Sequence, residues 1–175
     1  MLDDPSVPAH GSLSLTGFID AKGEDFVKRL FNEQKPIIQD NVRVTTEWIS
    51  TGRYPLAVGV DKNQLLEFQK EGIGKSVDFM QGPLYLAARG VGVFKNSPHP
   101  NASKVWVNWL LSREGQMAWA EAMQGNSRRT DVPVLNPAEF PDFSKLESYA
   151  SPNTERGKDL LGKVFGIYKA YQATQ

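Results

Sequence analysis

Apolar residues in the first half of the chain recur with the period of amphipathic helices, and short apolar runs separate them. Three helices are predicted, with apolar stripes at residues 26–31, 44–49 and 65–68. Residues 36–39, 56–60 and 77–80 are predicted strands, and residues 56–60 suit a strand buried on both faces because they lack polar alternation. Strands that alternate with helices of this length predict crossover units and a mainly parallel sheet. A small α/β domain of any function fits this pattern too.

The pattern changes after residues 82–83. Residues 90–94 predict one more strand, and residues 126–152 form a proline-rich stretch that is typical of loops. A closing amphipathic helix is predicted over residues 160–171. Between the strand at residues 90–94 and the loop at residues 126–152, a wide apolar helix face is predicted from the spacing of Ala102, Val105, Trp106, Trp109 and Leu110. Ser112 is expected to cap the helix that follows.

Composition narrows the range of functions. Twenty basic side chains balance twenty acidic ones, so the chain lacks the basic excess that is typical of nucleic-acid binding. The chain has no cysteine, which excludes disulfides and thiolate chemistry, and its two histidines, His10 and His99, lie far apart in sequence. Neither a phosphate-binding glycine loop nor a spaced pair of catalytic carboxylates stands out. A non-enzymatic protein without metal or cofactor is therefore predicted.

Four segments together resemble a known family. They are MLDDP followed by HGS at residues 1–5 and 10–12, EWISTGRYP at residues 47–55, PHPNA leading to WLLSREGQ between residues 98 and 116, and NSRRTDVP at residues 126–133. In their order and spacing they are similar to segments of extracellular solute-binding proteins of the iron(III) type. Those proteins capture ligands for ABC importers.

This resemblance implies a type II periplasmic-binding fold, with α/β lobes that are mainly parallel sheet flanked by helices. Residues 1–82 would form the α/β core of the second lobe, and residues 83–125 would form a crossover strand and helices of the first lobe. Residues 126–175 would return to the second lobe, and the opening elements of the first lobe would precede Met1. The implied function is the non-catalytic capture of a small anionic or polyol-like solute for an ABC permease. The implied location is the periplasm or the extracellular space, although no signal peptide opens this chain.

Two predicted strand ends and the first turn of one helix supply candidate ligand-binding residues. Gly11 and Ser12 open a helix whose unpaired N–H groups and hydroxyl could bind an anion, with His10 beside them. The alternative role of Ser12 is to cap that helix. Arg43, in the first turn of another helix, could bind a carboxylate or phosphate, or could simply be exposed to solvent.

Asp61 and Asn63 follow the predicted strand at residues 56–60 and could offer a ligand an acceptor and an amide, or cap the next helix. Ferric-binding relatives have adjacent tyrosines in this region, whereas this chain has Lys62, Asn63 and Gln64, so iron coordination there is not expected. A further alternative is a truncated lobe that binds no solute. Such a lobe would expose the apolar face of residues 102–110 and form a homodimer around Trp106 and Trp109.

Overall fold

A computed structural model of the chain describes residues 1–80, 90–149 and 151–175. The chain divides into two compact units. The first unit comprises Met1–Ala87 and Glu147–Gln175, and the second comprises Ala88–Leu146. The boundary predicted between residues 82 and 83 lies outside the described residues.

The first unit contains most of the regular structure. Its two strands are β1 (Leu2–Asp3) and β2 (Ile38–Gln39), which pair in parallel. Its helices, in chain order, are α1 (His10–Lys22), α2 (Glu24–Gln34), α3 (Val42–Ser50), α4 (Lys62–Lys70) and, after the second unit, α7 (Glu155–Gln172). Helix α7 packs against α1 and α2, and α3 packs against α4.

Side-chain caps fix where these helices begin. Asn41 accepts hydrogen bonds from the N–H groups of Arg43 and Val44 at the start of α3. Asp61 and Thr154 cap α4 and α7 in the same way. Each cap satisfies N–H groups that the first turn of a helix leaves without an intrahelical partner.

One apolar cluster holds the first unit together. Phe31 of α2 is fully buried, and its ring centroid lies 5.5 Å from that of Tyr168 and 5.0 Å from that of Tyr171, both on α7. The cluster therefore joins the start of the chain to its last helix. Its buried members are Leu2, Leu15, Ile19, Val27, Phe31, Val164 and Tyr168.

The prediction of an α/β lobe of the type II periplasmic-binding kind, built on a mainly parallel sheet, is wrong. In the part of the chain that the structure describes, the sheet has two strands of two residues each, and helices dominate. The predicted strand at residues 56–60 contributes a single parallel bridge, between Val58 and Leu2. The predicted alternation of extended segments and helices is present, but the strand pairings are too short to build a lobe.

Local chemistry explains why the ladders end so soon. Pro5 has no N–H with which to extend β1 beyond Asp4. Gly59 adopts a φ of +89°, which turns the chain out of the extended conformation directly after Val58. Asn41 caps α3 two residues after β2 ends. The apolar pattern marked the extended segments correctly but not their length.

Two other predicted strands are absent from the structure. At residues 77–80, the carbonyl oxygen of Val77 accepts a hydrogen bond from the side-chain amide nitrogen of Gln69 at 2.9 Å. In a sheet, that oxygen would accept from the backbone N–H of a neighbouring strand. Residues 90–94 are exposed and pair with no strand among the described residues. The two glycines in that segment supply no side chain with which to pack.

The second unit is a helical hairpin followed by a loop. Helix α5 (Pro100–Leu110) contacts α6 (Arg113–Ala122), and a short 3-10 helix follows at Pro137–Glu139. A second 3-10 helix, Phe143–Ser148, begins in this unit and ends two residues beyond its last residue, Leu146. Ser112 caps α6 through the N–H of Gly115, as predicted. Arg129 ties the loop to the end of α5, because its guanidinium donates to the Leu111 carbonyl oxygen at 2.9 Å.

Candidate functional site

Three parallel segments of the first unit end at a common edge. The N–H of Asp3 donates to the Val58 carbonyl oxygen, and the N–H of Asp4 donates to the Gln39 carbonyl oxygen. The central segment, β1, therefore lies between β2 and residues 56–58. We call the ends of these segments, with the residues directly after them, the carboxyl edge. In α/β proteins, ligands bind beyond this end of the strands.

A histidine–aspartate pair links two helix starts at the carboxyl edge. The Nε2 atom of His10, at the start of α1, lies 3.2 Å from Oδ2 of Asp61. The other oxygen of that carboxylate accepts hydrogen bonds from the N–H groups of Asn63 at 2.8 Å and Gln64 at 3.1 Å. Asp61 thus caps α4, as one prediction had it, and also contacts the imidazole.

The donors of Gly11 and Ser12 are engaged inside the protein. The Gly11 N–H donates to Oδ2 of Asp3 at 3.0 Å, so a carboxylate of the chain already occupies the anion position at this helix start. The Ser12 hydroxyl is buried, donates to the Val7 carbonyl oxygen at 2.6 Å and accepts from the Ala9 N–H at 3.0 Å. In this structure both residues act as parts of the fold.

Close packing at this crossing explains the two glycines. A Cβ atom on Gly11 would overlap the carbonyl oxygen of Asp3, and one on Gly59 would lie 2.7 Å from the Cβ atom of Asp3. The start of α1 therefore sits directly on the backbone of β1 and of the segment beside it. This contact brings His10 to within reach of Asp61.

Two amide side chains in the first turn of α4 carry buried atoms without a partner. Oδ1 of Asn63 and Oε1 of Gln64 are both shielded from solvent and accept no hydrogen bond within the described residues. An unsatisfied buried polar group costs about 1–3 kcal/mol. Asn63 was predicted from the sequence as a ligand amide, whereas Gln64 was not singled out.

Arg43 has a different environment. Its guanidinium lies over the ring of Phe68, with the carbon atom 5.5 Å from the ring centroid. This cation–π contact joins α3 to α4. Of the predicted site residues, Asp61 thus contacts both His10 and the backbone of Asn63. Gly11 instead binds Asp3, and Arg43 contacts Phe68.

Carboxylates dominate the electrostatics of the carboxyl edge. Burial raises the pKa of Asp3, and the charges of Asp4 and Asp40 raise it further, while the Gly11 N–H and His10 act in the opposite direction. With Asp61, which contacts His10, the carboxyl edge carries four carboxyl groups and one histidine. Asp3, Asp4 and Asp40 were not predicted as site residues, although two of them directly follow a strand, the same signal that indicated Asp61.

Helix α7 reaches this edge through Tyr168. Burial raises the pKa of the Tyr168 hydroxyl, and the nearby Asp4 carboxylate, its hydrogen-bond partner, raises it further. The Asp4 carboxylate also accepts from the N–H and the hydroxyl of Ser6, both at 2.9 Å. Asp4 is therefore held in place from two sides.

Residues 1–80, 90–149 and 151–175 contain no group of three or more histidine, aspartate and glutamate side chains that could hold a metal ion. Over the same ranges, no helix has both the length and the apolar character needed to cross a membrane.

Comparisons with protein families, with curated proteins and with solved structures gave no match to this chain. The similarity to extracellular solute-binding proteins therefore rests on the four sequence segments and stays a prediction.

Proposed function

We propose that this chain is a non-catalytic binding module that captures a small solute at the carboxyl edge of the first unit. The observation that carries the proposal is the imbalance between acceptors and donors there. Asp61 contacts the imidazole of His10, and two amide oxygens beside it are buried without a partner. A solute that donates hydrogen bonds would satisfy those oxygens once the Asn63 and Gln64 side chains rotate to meet it.

The same imbalance favours a class of solute. Four carboxyl groups and one histidine lie at this edge, and the donors of Gly11 and Ser12 serve the chain's own oxygens. An anion would find few donors and a repulsive field, so the anionic part of the sequence-based prediction is not carried forward. A polyol or a cationic amine would bring the N–H or O–H donors that this edge lacks.

The hydrogen bonding of the Ser12 hydroxyl favours binding over catalysis. The His10–Asp61 pair resembles the base and orienting acid of a hydrolytic triad. The Ser12 hydroxyl, however, donates to the Val7 carbonyl oxygen at 2.6 Å and is fully buried. It is thus turned away from a nucleophilic role, and we assign the pair to binding.

Delivery of the solute to an ABC permease is part of the proposal, and the four sequence segments alone support it. A periplasmic or extracellular location follows from the same resemblance. Both are separable from solute capture, which rests on the geometry of His10, Asp61 and Asn63.

The test is thermal unfolding of the purified full chain with sorbitol, putrescine or inorganic phosphate. A ligand present at 100 times its Kd stabilises the folded state by about 2.7 kcal/mol, which raises the Tm by roughly 5–10 °C for a chain of this size. We expect a rise with sorbitol or putrescine and none with phosphate. A rise with phosphate alone, or no rise with any of the three, would contradict the proposal.

Asp61→Asn sharpens this test because asparagine caps a helix as well as aspartate does. The variant should keep the stability of α4, yet lose at least about tenfold in putrescine affinity, because one charge is removed from the edge. The matched control is Asp25→Asn on α2, where the carboxylate is 93% exposed. An equal loss in both variants would show that the amine binds the protein non-specifically.

A further inference from the structure

The second unit exposes a large apolar surface on one side of α5. Trp106 and Trp109 are 50% and 44% exposed, and Val105 is 70% exposed. Phe94 is 89% exposed and lines a groove of about 320 Å³ together with Trp106. We call the surface formed by Phe94, Ala102, Val105, Trp106 and Trp109 the tryptophan face.

The area of the tryptophan face suits a protein interface. Aromatic side chains present about 150–250 Å² each, so the exposed fractions amount to roughly 500 Å² of apolar surface. The largest apolar patch on a typical monomer is about 300–600 Å², and patches of that size are often functional. Two such faces with their polar margins would bury about 1,200 Å², the lower limit of a stable interface.

Charge and shape favour a second copy of the same chain. The face carries no charged side chain, and Lys104 lies on the opposite side of α5 by helical periodicity. Two copies can therefore meet without like-charge repulsion. The face also runs from a small residue, Ala102, to a large one, Trp109, two turns later.

An antiparallel pairing around a two-fold axis would place Ala102 of one copy against Trp109 of the other, twice. Such a self-complementary contact is what a two-fold interface requires. Alternation of small and large side chains lets facing helices interdigitate at about 8–10 Å between their axes. Val105 and Trp106 would then lie near the axis.

We propose that two copies of this chain form a symmetric dimer through their tryptophan faces. The dimer uses only the second unit, so it is independent of solute capture at the carboxyl edge. In the dimer, both tryptophans of α5 become protected from solvent.

The first test is sedimentation velocity of the full chain over a concentration series, with Trp109→Lys compared with Trp119→Lys. Trp119 is also exposed, at 41%, but lies on α6 outside the tryptophan face. We expect a dimer whose Kd rises by about 30-fold or more in Trp109→Lys and is unchanged in Trp119→Lys. A monomeric wild-type chain, or an equal effect of both substitutions, would overturn the proposal.

The second test needs no loss of an aromatic anchor. The natural chain has no cysteine, so Val105→Cys creates a single thiol near the proposed axis. Mild oxidation should give a covalent dimer, because a disulfide forms when the two Cα atoms lie about 4.4–6.8 Å apart. Lys104→Cys, on the opposite side of α5, should remain largely monomeric. Equal crosslinking of the two variants would overturn the proposal.

Discussion

The two units differ in where their apolar residues lie. In the first unit, seven residues from both ends of the chain form one buried cluster. In the described part of the second unit, the buried apolar residues are Leu110, Ala120 and Val132, while three of its tryptophans are exposed. The contrast shows that apolar content does not by itself give stability, because only buried apolar area contributes.

Polar contacts fasten the second unit instead. The Arg129 guanidinium donates to both oxygens of Asp131 at 2.8 Å, and the side chain of Asn126 exchanges two hydrogen bonds with the backbone of Asn136. The arginine–aspartate pair is exposed, where ion pairs add little. The second unit is therefore expected to be the less stable of the two.

The largest effect is expected from Phe31→Ala. This side chain of α2 is fully buried and packs against α7, so its removal should lower the free energy of unfolding by about 3–5 kcal/mol. Urea unfolding followed by circular dichroism measures the loss. Phe143→Ala, at an exposed position of the second unit, is the control and should change the free energy by less than about 0.5 kcal/mol. Similar losses in the two variants would remove the contrast between the units.

A smaller and more local effect is expected from Leu110→Ala. Leu110 is the largest buried apolar side chain of the α5–α6 hairpin, and its truncation should cost about 2–3 kcal/mol. Amide hydrogen exchange should speed up in α5 and α6 but not in α1 and α2, because units of unequal stability open separately. If exchange instead quickens throughout the chain, the two units unfold together.

The smallest effect is expected from Asp3→Asn, which tests the carboxyl edge. Burial raises the pKa of Asp3 above its ordinary value of 3.8, so the folded state favours the protonated form. The stability that this preference supplies is complete below the unfolded pKa and is lost as the pH rises through the folded pKa. The contribution of Asp3 to the free energy of unfolding should therefore fall as the pH rises above about 4.

Asp3→Asn should flatten this dependence while still accepting the Gly11 N–H bond. Urea unfolding over that pH range measures both chains, and Asp25→Asn, which replaces an exposed carboxylate, serves as the control. If the slope survives in Asp3→Asn, a different carboxyl group is responsible for it.

Helices were predictable from the sequence and sheet was not. The stripes at residues 26–31, 44–49 and 65–68 each became a helix, since a repeat near 3.6 residues is rarely produced by anything else. The short apolar runs are ambiguous, because pairing depends on residues distant in sequence. The positive φ of Gly59 ends one predicted strand, and in another the Gln69 side chain donates to the Val77 carbonyl oxygen, neither of which the apolar pattern contains.

The candidate site was predicted in part. The strand-end rule indicated Asp61 and Asn63, and the structure brings the first of them to His10. The strand-end rule did not reveal that the Asp3 carboxylate accepts a hydrogen bond from the Gly11 N–H, because that contact depends on the crossing of α1 over β1. The buried oxygens of Asn63 and Gln64 likewise follow from packing, and periodicity alone does not reveal them.

The position of α7 in the chain affects how the protein is made. Val164 and Tyr168 complete the core of the first unit, yet they are translated after the whole of the second unit. On the ribosome, the helices that begin the first unit must therefore wait for their last partner with apolar surface uncovered. Sequestration by a chaperone during this interval would protect them, and the rate at which residues 88–154 emerge would set its length.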